Sequence, residues 1–162
     1  MGTEFGGVRG KDNAIDSRQY THSVKKETWI NPVEGIITSC FGERKNPVLN
    51  KNEFHDGIDI GAEQNEKIVA VKSGIVLSVK SSRTYGNILK YEVVDGYVIT
   101  YAHCNEIFVK EGEKIKQGQI VASVGSTGMV TGPHLHYGIS KNGKFIDPIK
   151  YTNLPILEEA LE

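Results

Sequence analysis

The stretch that decides the interpretation of this chain is Gly132-Pro133-His134-Leu135-His136-Tyr137-Gly138-Ile139. Its apolar and aromatic residues, after a Gly-Pro start, predict a β-strand. Residues i and i+2 of a strand face the same side, so His134 and His136 present two imidazoles with Cα atoms roughly 7 Å apart. One imidazole can bind a metal ion through a nitrogen about 2.0–2.1 Å from zinc, while the other transfers protons. The alternative is a polar sheet face that carries two histidines and no metal.

The composition predicts a single globular domain. The chain has 162 residues, of which 38% are hydrophobic, and this is enough for one core. The formal net charge of −1 gives no basic field that would favour nucleic acid as a partner. The sequence has no run of about 18 apolar residues, so no membrane-spanning helix is predicted. Cys40 and Cys104 form no C-x-x-C motif, and we expect free thiols, although a disulfide between them stays open at this stage.

Residues 1–28 are polar and aperiodic, and we expect a flexible lead-in there. The first seven residues, Met1 to Gly7, resemble a remnant of recombinant expression. We therefore expect that a native signal or membrane anchor has been removed from this end. His22 falls in this segment and is interpreted as a solvated surface histidine.

The folded part is predicted to be all-β. From Lys67 onward, short β-branched runs alternate with glycine-containing turns every 8–12 residues, which is typical of a β-sandwich or barrel. Asp95-Gly96 predicts a type I′ hairpin turn. Residues 43–52 are interpreted as a polar loop. Residues 152–162 are a C-terminal tail in which a short helical turn is expected.

His55 and Asp59 lie in the stretch Phe54-His55-Asp56-Gly57-Ile58-Asp59-Ile60-Gly61. Gly57 and Gly61 argue against a helix, and a straight strand would separate the two Cα atoms by about 13 Å. Both side chains reach one metal only if the backbone bends between them, and Asp56-Gly57 is a suitable turn dipeptide. The alternative is a turn with an exposed histidine and a capping aspartate.

Four of the five histidines lie in the predicted folded part, close to glycines or strand ends: His55, His103, His134 and His136. Catalytic zinc sites commonly have three nitrogen or oxygen ligands from the protein and one open position. A His, Asp, His set meets that requirement, and the two remaining histidines could then serve in proton transfer. The spacing alone leaves open which histidines are ligands.

Three motifs together resemble the lysostaphin-type zinc endopeptidases of peptidoglycan: His55-x-x-x-Asp59, Tyr101-Ala102-His103 and Gly132-Pro133-His134-Leu135-His136. They occur in the family's order, and the resemblance covers residues 29–151. Further matches lie at Gly125-Ser126-Thr127-Gly128 and Asp147-Pro148. Two departures are Cys104, where the family usually has an apolar residue, and Gly138, where it often has Glu.

The resemblance implies an antiparallel β-sandwich or open barrel whose groove carries a zinc site. It implies His55, Asp59 and His136 as zinc ligands, and His103 and His134 as the catalytic pair beside the metal. It also implies Arg44 as a substrate contact at the border of the groove. The implied activity is zinc-dependent hydrolysis of peptide bonds in peptidoglycan stems or cross-bridges, outside the cytoplasm.

Similar domains also serve as interaction modules, and this is the alternative function. Such a module would bind a partner protein in a cell-division complex or in the sporulation channel that joins two membranes during engulfment. Modules of this kind often lose a ligand, whereas this chain keeps all three ligands and both catalytic histidines. The retained set favours the enzyme.

Overall fold

The computed structural model describes residues 27–45 and 48–161. This part of the chain contains twelve β-strands and three short 3-10 turns, which confirms the predicted all-β class. The strands are β1 (Ile36–Ser39), β2 (Gly42–Lys45), β3 (Asn52–His55), β4 (Ile58–Gly61), β5 (Lys67–Val69), β6 (Gly74–Ser82), β7 (Gly86–Val93), β8 (Tyr97–Ile107), β9 (Lys114–Ile115), β10 (Ile120–Val124), β11 (His134–Lys141) and β12 (Lys144–Ile146). The 3-10 turns span Val94–Gly96, Pro148–Tyr151 and Glu158–Leu161.

Ten strands form one open antiparallel sheet, with the order β1-β4-β11-β8-β7-β6-β9. β10 pairs with β5 and β8, and β12 pairs with β11. β2 and β3 form a separate hairpin. The centre of the large sheet is β4-β11-β8, and this is where the motifs of the sequence come together.

The two faces of these central strands carry different side chains because strand residues alternate. On β11, Leu135, Tyr137 and Ile139 are fully buried in the core. His134 and His136, which alternate with them along the strand, point to the opposite face. On β4, the core residues Ile58 and Ile60 flank Asp59 in the same manner. Alternation therefore places the apolar residues in the core and the candidate ligands on the opposite face.

The predicted turn at Asp95-Gly96 is confirmed. Both residues have positive φ angles, 69° and 79°, as a type I′ turn requires. It connects β7 to β8, which form a long antiparallel pair. Aspartate and glycine tolerate this backbone conformation better than most residues do, so the local sequence explains the turn.

The predicted polar loop over residues 43–52 is wrong at both ends, where β2 and β3 extend into it, whereas the described residues 48–51 form a turn. β2 and β3 form an antiparallel hairpin, with Gly42 opposite His55 and Arg44 opposite Glu53. The sequence of this hairpin is mostly polar and gives no strand pattern, because a two-stranded ribbon that lines a groove does not need a buried apolar face of its own. The hairpin forms a wall beside the candidate ligands.

Both ends of the described chain are bonded to the domain. Most of the predicted lead-in, including His22, lies outside the described residues, but the Glu27 carboxylate accepts hydrogen bonds from the backbone N–H and Oγ of Ser73, at 2.9 and 2.6 Å. The C-terminal tail is bonded to β1. The N–H of Ile37 donates to the carbonyl of Pro155, and the N–H of Leu157 donates to the carbonyl of Ile37. The expected helical turn is present as Glu158–Leu161. None of the helices in the described part has the length and hydropathy that a membrane-spanning segment requires.

Candidate metal centre and groove

Three separate strands bring the candidate ligands together. β4 and β11 are neighbours, and their register sets Asp59 opposite His136. His55 ends β3, and the chain bends at Asp56 and Gly57 before β4 begins, as predicted. Gly57 is required at this bend because a Cβ there would collide with the carbonyl oxygen of Tyr137.

His55, Asp59 and His136 converge on one point. His55 Nε2 lies 3.1 Å from Asp59 Oδ1 and 3.3 Å from His136 Nδ1, and the last two atoms are 3.3 Å apart. Tetrahedral ligands about 2.0–2.1 Å from a zinc ion are about 3.3 Å from one another. The three residues are 4–7% exposed. The donor set, its spacing and its burial therefore fit a bound metal ion, with one tetrahedral position left open.

The second ring nitrogen of each candidate ligand histidine, His55 and His136, has its own partner. His55 Nδ1 lies 3.0 Å from the carbonyl oxygen of Cys40, and His136 Nε2 lies 3.0 Å from Asp56 Oδ1. Since both partners accept hydrogen bonds, these nitrogens carry the protons in the neutral rings. The lone pairs of His55 Nε2 and His136 Nδ1 are then directed at the common point.

The electrostatics of this centre favour a cation. In the metal-free protein, burial raises the pKa of the Asp59 carboxyl. Hydrogen bonds from His136 and His55, formed when the ring nitrogens that face Asp59 carry protons, outweigh this effect and hold the pKa well below its ordinary value. Burial lowers the pKa of His136, but hydrogen bonds to Asp56 and Asp59 prevail and raise the pKa to about 9. Asp56 and Asp59 thus make a positive charge favourable at a point that is shielded from solvent.

The structure brings the remaining two histidines next to this centre. His134 Nε2 lies 3.8 Å from Asp59 Oδ1, and His134 Nδ1 lies 3.0 Å from the carbonyl oxygen of Gly132. The His103 and His134 rings are 5.0 Å apart between centroids. His103 Nδ1 is 2.7 Å from the carbonyl oxygen of Thr127. Because each Nδ1 faces a carbonyl oxygen, it carries a proton, and Nε2 is the nitrogen of each ring that can exchange a proton with a substrate.

His103 lies inside β8, whereas the sequence analysis placed it close to a glycine or a strand end. Its φ angle is +63°, in the left-handed region that a histidine seldom adopts. The backbone N–H of His103 donates to the carbonyl of Tyr85 at 2.8 Å, and its ring is bonded to the Thr127 carbonyl. These two contacts offset the local strain, which is a common feature of functional sites. Burial lowers the pKa of His103 to about 4, so its imidazole is neutral near pH 7.

Arg44 extends from the β2–β3 hairpin towards the centre. Its guanidinium donates to Ser39 Oγ at 3.1 Å and to Glu53 Oε2 at 3.4 Å, and lies 3.7 Å from Asp59 Oδ2. Arg44 thus contributes positive charge close to the groove. Its predicted role as a substrate contact stays a prediction.

The centre lies in a groove of about 910 Å³. The groove walls include exposed apolar and aromatic side chains: Val48, Leu49, Phe54, Tyr85, Met129 and Leu161. Cys40 is also part of the lining, whereas Cys104 is buried, and both are free thiols. Burial raises the pKa of Cys104 to about 12, so this departure from the family pattern adds no reactive thiol beside His103.

Sequence reasoning missed the partners of the histidines. Asp56 was interpreted only as a turn residue, and Thr127 only as part of a glycine-rich match. Thr127 is held in close contact with Gly86, where a Cβ would collide with it, and its hydroxyl donates to the Cys104 carbonyl at 2.8 Å. The Gly-Ser-Thr-Gly sequence signals a tight turn, but no local signal says which side chain or carbonyl the turn would contact.

An all-β domain with a buried His, Asp, His set and two further histidines in an open groove has the arrangement of a metal-dependent hydrolase. The model of peptidase family M23 matches residues 53–148, which is more than half of the chain, and the chain belongs to this family. The predicted resemblance to the lysostaphin-type endopeptidases is thereby confirmed. The match contains all five histidine and aspartate positions of the site, whereas Arg44 lies outside it.

Relatives with known names match over this same domain. Peptidoglycan DD-endopeptidase ShyB of Vibrio cholerae is 36% identical over 121 residues, which cover 74% of this chain and 28% of ShyB. Murein hydrolase activator NlpD of Escherichia coli K12 is 34% identical over 125 residues, or 76% of this chain and 31% of NlpD. A crystal structure of a zinc-containing peptidase from Vibrio cholerae has a TM-score of 0.71 at 33% identity, covering 80% of this chain and 41% of that one. The chain thus spans less than a third of either curated relative.

Proposed function

We propose that this domain is a zinc-dependent endopeptidase that hydrolyses peptide bonds in the stems or cross-bridges of bacterial peptidoglycan. The observation that carries the proposal is the convergence of His55, Asp59 and His136 at metal-binding distances, with His103 and His134 on the same side of the groove. The names of ShyB and of the zinc-containing peptidase support the substrate and the metal.

The proposed zinc ligands are His55 Nε2, Asp59 Oδ1 and His136 Nδ1. Two imidazoles and a carboxylate suit zinc, and the carboxylate reduces the net charge of the centre. When bound, zinc supplies Lewis acidity, which polarises a carbonyl oxygen and makes a coordinated water more acidic. All other functions in the proposed reaction belong to side chains of this chain.

His103 is proposed as the general base. Its buried, neutral ring has Nδ1–H fixed by the Thr127 carbonyl, so Nε2 can take a proton from the attacking water and return it to the leaving amine. His134 is proposed, in its protonated form, to donate a hydrogen bond to the oxyanion of the tetrahedral intermediate. One such donor contributes about 3 kcal/mol in other hydrolases.

The groove and the location follow from the same proposal. An open groove with apolar walls suits an extended peptide, and Arg44 is proposed as a contact for a substrate carboxylate or carbonyl. Because peptidoglycan lies outside the cytoplasm, the domain is proposed to act in the cell wall, the periplasm or an intermembrane space.

A second candidate function is a zinc-binding interaction module of a division or sporulation complex. The observation that favours it is the relative named as a murein hydrolase activator, at 34% identity. The observation against it is the complete set of three metal-binding side chains and two further histidines in this chain. The two functions differ in whether the purified domain turns over peptidoglycan.

The decisive experiment combines metal analysis with digestion of purified sacculi. We expect about one zinc per chain, and mass analysis should detect new muropeptides from at least one cross-link type, with no release after chelation. Asp59→Ala is the matched negative control. If the chain holds one zinc and yields no cleavage product from any cross-link type, the proposed endopeptidase function is wrong and the interaction module is favoured.

A further inference from the structure

Asp56 lies at the bend between β3 and β4, one residue after His55. Its Oδ1 is 3.0 Å from His136 Nε2, and its side chain is 28% exposed. The simplest explanation of an aspartate followed by glycine at this place is turn formation. A turn residue does not need its carboxylate within hydrogen-bond distance of a buried imidazole from another strand, so the contact calls for a second explanation.

A neutral imidazole carries its proton on either Nδ1 or Nε2, and only the other nitrogen can bind a metal. Donation from Nε2–H to Asp56 leaves the lone pair of His136 on Nδ1. That nitrogen lies 3.3 Å from both His55 Nε2 and Asp59 Oδ1. The contact with Asp56 thus selects the tautomer and the ring orientation that complete the three-ligand set.

His136 differs from the other three histidines of the site in this respect. The Nδ1 atoms of His55, His103 and His134 each lie 2.7–3.0 Å from a backbone carbonyl. His136 alone among these four has its second nitrogen held by a carboxylate side chain. The orientation of one ligand therefore depends on a side chain that a substitution can remove.

We propose that Asp56 is a positioning residue for the metal, which holds the His136 ring so that Nδ1 faces His55 and Asp59. This inference rests on the proposed metal site. Carboxylates that accept a hydrogen bond from a ligand histidine fix its tautomer and increase its basicity, and their loss typically weakens metal binding by about 10–100-fold. Asp56 is assigned this role in addition to its role in the turn.

The test separates positioning from turn formation by using Asp56→Ser. Serine is also favoured in turns but lacks the carboxylate. Zinc affinity is measured by competition with a chromophoric chelator, and we expect a loss of about 10–100-fold. Asp56→Asn, which keeps an acceptor oxygen in place, should lose less. Glu66→Gln makes the same charge change at an exposed position outside the site, and should bind zinc like the unmodified chain.

A second readout reports the tautomer directly. In ¹⁵N NMR of the metal-free protein at a pH where His136 is neutral, the unmodified chain should show the Nε2–H tautomer, whereas Asp56→Ser should show a mixture. Equal zinc affinity and an unchanged tautomer in a folded Asp56→Ser variant would overturn the inference. If Asp56→Ser unfolds, the folded Asp56→Asn variant decides by the same two measurements. Failure of the unmodified chain to bind zinc would instead overturn the proposed metal site.

Discussion

The two faces of the central strands differ in what their buried residues contribute. On the core face, Leu135 and Ile60 are apolar and fully buried, and their contribution is the free energy of folding. On the groove face, His136 and Asp59 are almost as buried but polar, and their polar atoms lie within hydrogen-bond distance of other polar side chains. The difference shows that burial has two uses within one strand pair. It stabilises the fold on one side and sets protonation states on the other.

Among the substitutions that test this comparison, Asp59→Ala on the groove face should have the largest effect. We expect loss of zinc and of peptidoglycan hydrolysis by at least about 100-fold, because one of three proposed ligands is removed. Zinc content by mass spectrometry and muropeptide release measure the two effects. Full zinc occupancy in this variant would contradict the ligand assignment.

The next largest effect separates the two histidine pairs of the groove face. His103→Ala and His134→Ala should each keep about one zinc per chain but lose about 10²–10⁴-fold in hydrolysis, because a proposed catalytic histidine is removed and the proposed ligands remain. His136→Ala is the control that should lose the metal. If His134→Ala loses the metal and His136→Ala keeps it, the roles within His134-Leu135-His136 are reversed.

A substitution on the core face should have the opposite profile. Leu135→Ala removes a fully buried side chain between the two histidines of β11 and should lower the free energy of unfolding by about 2–5 kcal/mol. Under conditions where the variant is folded, its zinc content should be unchanged. Urea unfolding and metal analysis measure these quantities. A loss of zinc from the folded variant would mean that the two faces are not separable.

Periodicity explains why part of the site's geometry could be predicted from the sequence. The His-x-His pattern predicts His134 and His136 on one face of a strand, and the bend at Asp56-Gly57 is what lets His55 and Asp59 meet. Spacing alone left open which histidines are ligands, and the set of His55, Asp59 and His136 came from the resemblance to the lysostaphin-type endopeptidases. The β2–β3 hairpin was missed because its strands lack a buried apolar face. The positive φ of His103 and the Asp56–His136 contact were missed because both depend on tertiary neighbours, Tyr85 and β11, that no local pattern specifies.

A smaller effect concerns pH and separates two histidines of the groove face. The pKa of His136 in the folded, metal-free protein is about 9, above the value of about 6.5 expected in the unfolded chain. Its protonated form therefore stabilises the metal-free fold fully below pH 6.5, and this contribution is lost as pH rises towards 9. We expect the free energy of unfolding of the chelated protein to decrease over this window, and His136→Asn should remove the decrease.

His103 should act in a different pH window. Burial lowers its pKa to about 4, so its neutral form stabilises the fold above pH 6.5 and this contribution is lost as pH falls towards 4. Urea unfolding of the chelated protein across pH 4–9, with His136→Asn and His103→Ala, separates the two contributions. A slope between pH 6.5 and 9 that persists in His136→Asn would mean that another group titrates there.

The smallest effects are expected within the core face itself, where three tyrosines are fully buried. The Tyr101 hydroxyl lies 2.7 Å from both the Val69 carbonyl, to which it donates, and the Tyr91 hydroxyl. The Tyr137 hydroxyl has no hydrogen-bond partner among the described residues. Tyrosine to phenylalanine removes one oxygen and keeps the ring, so the two positions form a matched pair.

Tyr101→Phe should lower the free energy of unfolding by about 1–3 kcal/mol, because it leaves the buried Val69 carbonyl without its donor and removes a partner of Tyr91. Tyr137→Phe should change it by less than about 0.5 kcal/mol or stabilise the fold slightly, because the removed hydroxyl is desolvated and unpaired. Urea unfolding at one pH measures both, and neither should alter zinc content. An equal loss at the two positions would mean that Tyr137 has a hydrogen-bond partner in solution, such as a buried water. In that event the core face, like the groove face, would depend on a satisfied polar network at each of its buried polar side chains.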